Sequence, residues 1–454
     1  MIIFGETIIV MRHSIISLLA AAALLVGCAA ERDFVHVEDG QFVRDGEKMN
    51  FVGTNFWYGP ILGSEGRGGN RGRLEKELDL LDDLGLDNLR ILVGSDGPEG
   101  VAYKVEPVLQ KEPGVYNDTL LRGLDYLLAE MAERDMHAVL YFNNSWEWSG
   151  GYGQYLEWAG EGKALLPSVD GYENYVDHVR RFVTNKKAKE LYYNHVRNIV
   201  TRVNTVTGKP YAEDPTIFSW QIGNEPRAFA RDSVTKASFA EWIASSAALI
   251  KSLDPNHMVS TGSEGLYGCE VDMDLFEKIH ADANIDYLNI HIWPLVWRWV
   301  NKDTFADSVH VATAMTEKYM TAHFPVAERL GKPIVLEEFG YPRDGSKAFE
   351  GEAEKFWDGV SLSKDSATTA RDEYYGWVFD RLVASCANGE PLVGINFWGW
   401  GGYATQSAVN EFWRPGDDYC GDPAQEPQGL FSVYASDQGT LELIRRCNET
   451  LKRK

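Results

Sequence analysis

Trp220-Gln221-Ile222-Gly223-Asn224-Glu225-Pro226-Arg227 is the stretch from which the fold can be read. Apolar Ile217 and Phe218 lead into it, which predicts a buried strand over 216–222. Pro226 stops that strand, because proline has no N–H to give to a ladder. An amide and a carboxyl, Asn224 and Glu225, therefore stand side by side where backbone pairing ends. Far downstream Pro333-Ile334-Val335-Leu336 reads as a second buried strand, over 334–338, ending in Glu337-Glu338-Phe339-Gly340. If the two ends meet, two carboxyl groups face one another, and such a pair can supply both a proton donor and a nucleophile or base.

The same unit repeats outward from these two strands. Short apolar runs predict further strands over 49–58, 88–93, 138–142, 258–261, 287–291 and 393–397. Runs with apolar spacing of three and four predict helices over 74–84, 118–134, 188–207, 238–253, 274–280, 309–330, 371–387 and 441–451. Eight strands in strict alternation with helices predict one α/β domain, a (β/α)8 TIM barrel. The alternative is a doubly wound open sheet. It lacks a phosphate loop, since Arg71 stands where the third glycine of the Gly-rich 63–72 stretch would be needed. Residues 34–51 alternate around Asp39-Gly40 and Asp45-Gly46, which predicts a small N-terminal β-hairpin. Long insertions over 146–170 and 398–432 follow the third and eighth strands, on the face where a barrel builds its site.

A formal net charge of −23 excludes a nucleic-acid surface, which needs clustered Lys and Arg. Met11-Arg12-His13 and the apolar run 15–26 read as a secretory signal, too short to span a bilayer. Its ending, Leu25-Val26-Gly27-Cys28, resembles a bacterial lipobox and implies an acylated Cys28 as mature N-terminus. The expected domains are thus a signal at 1–27 (its true start at Met1 or Met11), a tether at 28–33 and a catalytic domain at 34–454. The protein is expected outside the cytoplasm, lipid-anchored to the outer membrane or cell surface, as a monomer. An exported chain can pair Cys269, Cys386, Cys420 and Cys447, in three possible ways. No close Cys/His cluster suggests zinc or another metal, and no cofactor is expected, because two carboxyl groups can supply acid, base and nucleophile.

The predicted strand ends converge on one mouth: Trp57, Arg90, Asn143-Asn144 with Trp146, Asn224-Glu225 with Arg227, Glu264, His291 with Trp293, Glu338, and Trp398 with Trp400. Flat rings suit sugar C–H faces, and Asn, Arg and His suit hydroxyls. A carboxyl pair in such a cleft is the equipment of glycosidic bond cleavage. Leu89-Arg90, Phe142-Asn143-Asn144, Gly223-Asn224-Glu225-Pro226, His291-Ile292-Trp293-Pro294, Glu338-Phe339-Gly340 and Phe397-Trp398-Gly399-Trp400 together resemble glycoside hydrolase family five, in that family's order. Asn224-Glu225-Pro226-Arg227, Gly262-Ser263-Glu264-Gly265 and Glu337-Glu338-Phe339-Gly340 are similar to its endo-β-mannanase branch.

The resemblance implies a retaining hydrolase of internal β-1,4 bonds in mannan, glucomannan or galactomannan. Glu225 would be general acid/base and Glu338 nucleophile. Arg90 would keep Glu338 ionised, Asn224 would bind the sugar 2-hydroxyl, and His291 would orient the acid/base or bind substrate. Trp398 would floor the subsite before the cleaved bond. Trp57, Asn144, Arg227, Glu264 and Trp293 complete the expected substrate-binding set. Trp293 departs from the family, which usually carries Tyr there. Strand alternation would turn Glu337 toward the helices. The same machinery aimed at β-glucan is the enzymatic alternative. A silent glycan-binding lipoprotein is the non-enzymatic one, which has no need of paired carboxyls.

Overall fold

The computed structural model describes residues 33–301, 303–344, 347–348, 360–361 and 366–452. Eight parallel strands form its central sheet: β1 Phe51–Asn55, β2 Asn88–Leu92, β3 His137–Tyr141, β4 Ile217–Gln221, β5 Met258–Ser260, β6 Leu288–Ile292, β7 Ile334–Phe339 and β8 Leu392–Phe397. They pair in the order β5-β4-β3-β2-β1-β8-β7-β6. The ends of that order come together without a regular ladder. The Asp286 N–H donates to Val259 O at 2.8 Å, Gly262 N–H to the Asn289 side chain at 2.8 Å and His291 N–H to Glu264 O at 3.2 Å. The sheet is thus a barrel stitched shut between β5 and β6.

Helices follow the strands: α1 Arg71–Asp83, α2 Asp118–Glu133, α3 Lys186–Val200, α4 Ser233–Leu253, α5 Met273–His280, α6 Val309–Leu330, α7 Thr369–Asn388 and α8 Gln438–Lys452. Side-chain caps set several starts. Asn70, Asn117, Asn185, Asp232 and Asp272 each accept from an N–H of the first turn. The expected helix over 188–207 ends at Val200 instead. Beyond it Asn204 accepts from Val206 and Thr207 N–H, while buried Asp125 accepts from Arg202, Thr205 and Tyr211. These side-chain bonds offer the backbone a turn in place of a further helical turn.

The N-terminal hairpin is a three-stranded antiparallel sheet, His36–Glu38, Gln41–Arg44 and Glu47–Met49. Its two turns put Asp39, Gly40, Asp45 and Gly46 at positive φ, as tight hairpins require. The sheet delivers Phe42 to the barrel's lower end, where its ring meets Phe218 at 5.0 Å and Tyr287 at 5.3 Å. Phe51, Val139, Met258 and Val335 complete that apolar floor. The predicted 146–170 loop is largely helical, with segments Glu147–Ser149, Gly151–Ala159 and Pro167–Asp170, followed by Tyr172–Val179. Cys269, Cys420 and Cys447 are free thiols, so the expected pairing of all four cysteines is not found. Cys28 and the whole signal lie outside the described residues.

One expectation is corrected. Glu337 does not face the helices. It sits inside the barrel, accepting from the Gln221 amide at 2.5 Å and the Tyr287 hydroxyl at 3.2 Å, with Arg90 Nε 3.8 Å away. The register shows why: Ile290 pairs with Leu336, but the next residue, His291, pairs with Glu338. A β-bulge has absorbed one residue, so Glu337 and Glu338 both point inward.

Candidate active site

At the end of β4, Glu225 has a φ of 49°, a left-handed conformation uncommon for a residue with a Cβ. The turn is held by Asn224 N–H donating to Asn143 O at 2.7 Å and Glu225 N–H to Gly262 O at 3.0 Å. Gly262, at φ 76°, must be glycine, since a Cβ there would lie 2.0 Å from Gly223 O. The Glu225 carboxyl is thereby swung into the mouth. Its Oε2 accepts from the Trp146 indole N–H at 2.5 Å, and its Oε1 lies 2.9 Å from His291 Nδ1. Burial, aided by the Arg90 charge, holds His291 far below the usual imidazole range, so it is neutral.

Glu338 lies opposite, with Oε1 accepting from Arg90 Nη1 at 2.5 Å and Oε2 3.4 Å from His291 Nδ1. Arg90 is fully buried at the centre of this layer. It also donates to Asn55, Gln221 and Asn224 at 3.0, 2.8 and 2.9 Å. One ligating atom each of Glu225, His291 and Glu338 lies within 4.8 Å of the others. This is the cluster among the described residues with metal-ligand spacing, but a cation in it would share Glu338 with the Arg90 guanidinium.

Burial pushes both carboxyl groups above the usual range; Arg90 opposes this at Glu338, and Arg227 opposes it at Glu225. Two acids this close titrate as a pair. Arg227 is already engaged by both oxygens of Glu264, whereas Arg90 bonds directly to Glu338. The direct bond from Arg90 favours the negative charge of a singly protonated pair on Glu338.

The pair opens into a cavity of about 1360 Å³. Its wall carries Trp146, Arg227, Glu264, Tyr267, Trp293, Trp297, Trp398, Gln425, Glu426 and Phe431.

Comparison with known proteins agrees with this geometry. A family model described as GH family 5 beta-mannosidase-like matches residues 32–454. The chain belongs to glycoside hydrolase family 5. Mannan endo-1,4-beta-mannosidase 4 of Oryza sativa subsp. japonica is 31% identical over 379 residues, 80% of this chain and 72% of the rice protein. The crystal structure of a glycoside hydrolase family 5 mannosidase from Rhizomucor miehei is 34% identical, with a TM-score of 0.81 over 94% of this chain and 99% of that one. An endo-1,4-beta-mannanase from the same organism shares the fold, at 22% identity and a TM-score of 0.63, over 93% of this chain and 100% of that one.

The family 5 site brings together most of the residues singled out from the sequence, in two layers. Asn224, Glu225, Arg227, Glu264, Trp293, Glu338 and Trp398 line the cavity. Arg90, His291 and Asn144 lie behind them. Asn144 accepts from Trp146 N–H at 3.0 Å and donates to Ser149 at 3.1 Å. Trp57 does not reach the cavity, contrary to its expected contact with substrate. It is 1% exposed, donates to Gly421 O at 2.8 Å and packs edge-on against Trp148 and Tyr419. Its aromatic bulk supports the loops that form the wall. Trp293, where the family usually has Tyr, stands beside Glu225 and favours its charged form.

Two features escaped the sequence reading. The Trp146 bond to Glu225 could have been sought, since Trp146 closes a strand-end cluster. Glu426 could not: in a chain with 67 acidic residues, nothing local marks one on a loop.

Proposed function

We propose that this glycoside hydrolase cleaves β-1,4-mannosidic bonds of mannan, glucomannan or galactomannan with retention of configuration. The observation that carries the mechanism is the separation of the pair. One oxygen of Glu225 lies within 4.8 Å of one oxygen of Glu338, nearer the roughly 5–5.5 Å of a retaining pair than the about 6.5–9.5 Å of an inverting one. Glu338, held ionised by Arg90, attacks the anomeric carbon while Glu225 protonates the leaving oxygen. Glu225, now a carboxylate kept in place by Trp146 and neutral His291, then takes a proton from the water that releases the sugar.

The mannan reading is supported by the relatives' names and by a Rhizomucor miehei complex with mannosyl-fructose. Arg227 and Glu264 form a two-bond ion pair under the Trp146 face, 5.3 Å from the guanidinium carbon to the ring centre. Lying on the acid/base side, they read the sugar that leaves. Mannan, glucomannan and soluble cellulose should be compared by release of reducing ends. Mannan and glucomannan are cleaved and cellulose at most slightly; equal cellulose hydrolysis would move the enzyme to the β-glucanases.

Leu25-Val26-Gly27-Cys28 supports export and lipid anchoring. Expressed in a bacterium, the protein should partition into detergent and lose that property on Cys28→Ala. A water-soluble wild type would contradict the anchor.

A further inference from the structure

Arg90, fully buried, serves two acids and not one. Its Nη1 donates to Glu338 at 2.5 Å, while its Nε lies 3.8 Å from Glu337 Oε2. Gln221 bridges the second pair. Its Oε1 accepts from Arg90 Nε at 2.8 Å, and its amide donates to that same Glu337 oxygen at 2.5 Å. The other Glu337 oxygen accepts from the Tyr287 hydroxyl at 3.2 Å. Asn55 joins the two residues again, donating to the Glu337 carbonyl at 2.8 Å and accepting from Arg90 at 3.0 Å. The titratable groups around this cage are Arg90, Glu338, Tyr287 and Tyr141, whose ring centre lies 4.5 Å from the guanidinium carbon.

Each carboxyl oxygen of Glu337 thus faces a donor, which suits the carboxylate, a group that only accepts. A buried acid beside an arginine already paired is costly, and an uncharged residue could fill the same place. The double displacement proposed above, on which this role rests, gives the acid a use. In the first step a Glu338 oxygen bonds the anomeric carbon, the bond to the leaving oxygen breaks, and that oxygen takes the Glu225 proton. Glu338 is then an ester without charge, and Arg90 is a buried cation that has lost its first partner. Glu337 is the other acid paired with Arg90 among the described residues. In the second step the bond from Glu338 to carbon breaks, its electrons return to the carboxylate, and Arg90 holds that charge again.

We propose that Glu337 is a positioning residue acting through Gln221 and Arg90, whose carboxylate takes up the Arg90 charge while Glu338 is esterified. It makes no bond to the sugar and keeps its own protonation state through both steps. A charge on Glu337 draws on Arg90 and makes Glu338 readier to give up its own, which speeds mannosylation. The same charge opposes the return of the Glu338 charge, which slows release. Removing it should therefore move the two steps in opposite directions. A residue that merely propped Arg90 would not do this: its loss would loosen the hold on Glu338 and slow release.

The test is made in full-length Glu225→Ala, which removes the acid/base and its titration. Mannosylation is read as kcat/KM on a dinitrophenyl β-mannoside, whose leaving group needs no proton. Release is read by loading Glu338 with a 2-fluoro-β-mannosyl fluoride and freeing it with azide, which needs no base. Adding Glu337→Gln should slow mannosylation and speed release, so that their ratio falls about tenfold or more, as for a charge close to a counter-ion. With Glu337 present, azide release should slow as pH rises from about 5 to about 8, and with Glu337→Gln it should stay level. The first of these pH series decides even if the double variant does not fold. Both rates falling together, an unchanged ratio, or level release in Glu225→Ala would overturn the proposal and leave the mannan reading standing. A protein that forms no adduct on Glu338 would overturn double displacement, and the proposal with it.

Discussion

The floor of the barrel and its mouth are built from the same strands, three or four residues apart. On β1 Phe51 lies in the floor and Asn55 bonds Arg90; Tyr287, just before β6, closes the floor and His291 on β6 faces the acid pair; on β7 Val335 is below and Glu338 above. Both regions are buried, but burial does opposite things in them. At the floor it removes rings and aliphatic groups from water, which stabilises the fold. At the mouth it surrounds Glu225, Glu338 and Glu426 with too little charge compensation, which raises all three acids and costs stability. The floor should therefore tolerate change at the expense of folding, and the mouth at the expense of chemistry.

The largest effect expected from that contrast is at the mouth. Glu225→Ala or Glu338→Ala should lower mannan turnover by roughly 10⁴ or more, while the melting temperature holds or rises because one buried acid is gone. A variant that lost folding and activity in parallel would erase the distinction. At the floor, Phe42→Ala should behave in reverse. Removing the ring that plugs Phe218 and Tyr287 should destabilise by about 3–5 kcal/mol in denaturant titration, with kcat of the folded enzyme within a few-fold of wild type. A large fall in kcat without loss of stability would contradict it.

Glu337 lies between the two regions and gives the smallest, most diagnostic effect. Burial pushes its carboxyl up to about 7 against the pull of Arg90 and its hydrogen bonds. A raised folded-state pKa means stability that is fully present below the unfolded value near 4.5 and lost as pH rises through about 7. Glu337→Gln cannot ionise, so its stability should fall less than the wild type's between pH 5 and 8, by roughly 1–3 kcal/mol. Parallel pH curves would show that Glu337 is ionised throughout.

How far the sequence could be read follows the same division. Strands are short apolar runs between punctuating residues, and β2 to β8 were placed within about one residue at most ends. The helix Val309–Leu330 was placed at its observed bounds although Pro325 lies inside it. The helices after β3 were missed, because glycines and aromatics in 146–170 mask a helical period while the helices are fixed by packing, as where Tyr152 stacks on Phe182 at 4.2 Å. The direction of Glu337 was misread because alternation assumes an unbroken ladder, and the bulge is visible only when β6 and β7 are paired. The carboxyls of Glu225 and Glu338 were legible because each ends a strand next to residues with a recognisable order. Glu426 was not, because its surroundings come from Trp398, Glu338 and Glu225, up to two hundred residues away.

The central claim is that the two glutamates divide the chemistry between them, and the anomer formed in the presence of azide tests it most directly. An aryl β-mannoside with a good leaving group should still mannosylate Glu338 in the Glu225→Ala variant, leaving an intermediate that lacks a base. Azide needs no base, so it should restore turnover and give the β-mannosyl azide after two inversions. In Glu338→Ala no intermediate forms, and azide entering the vacated space should give the α-mannosyl azide by one inversion. The two variants must yield opposite anomers. An α-azide from Glu225→Ala, or near-normal mannan turnover by Glu338→Ala, would show that the roles are assigned wrongly.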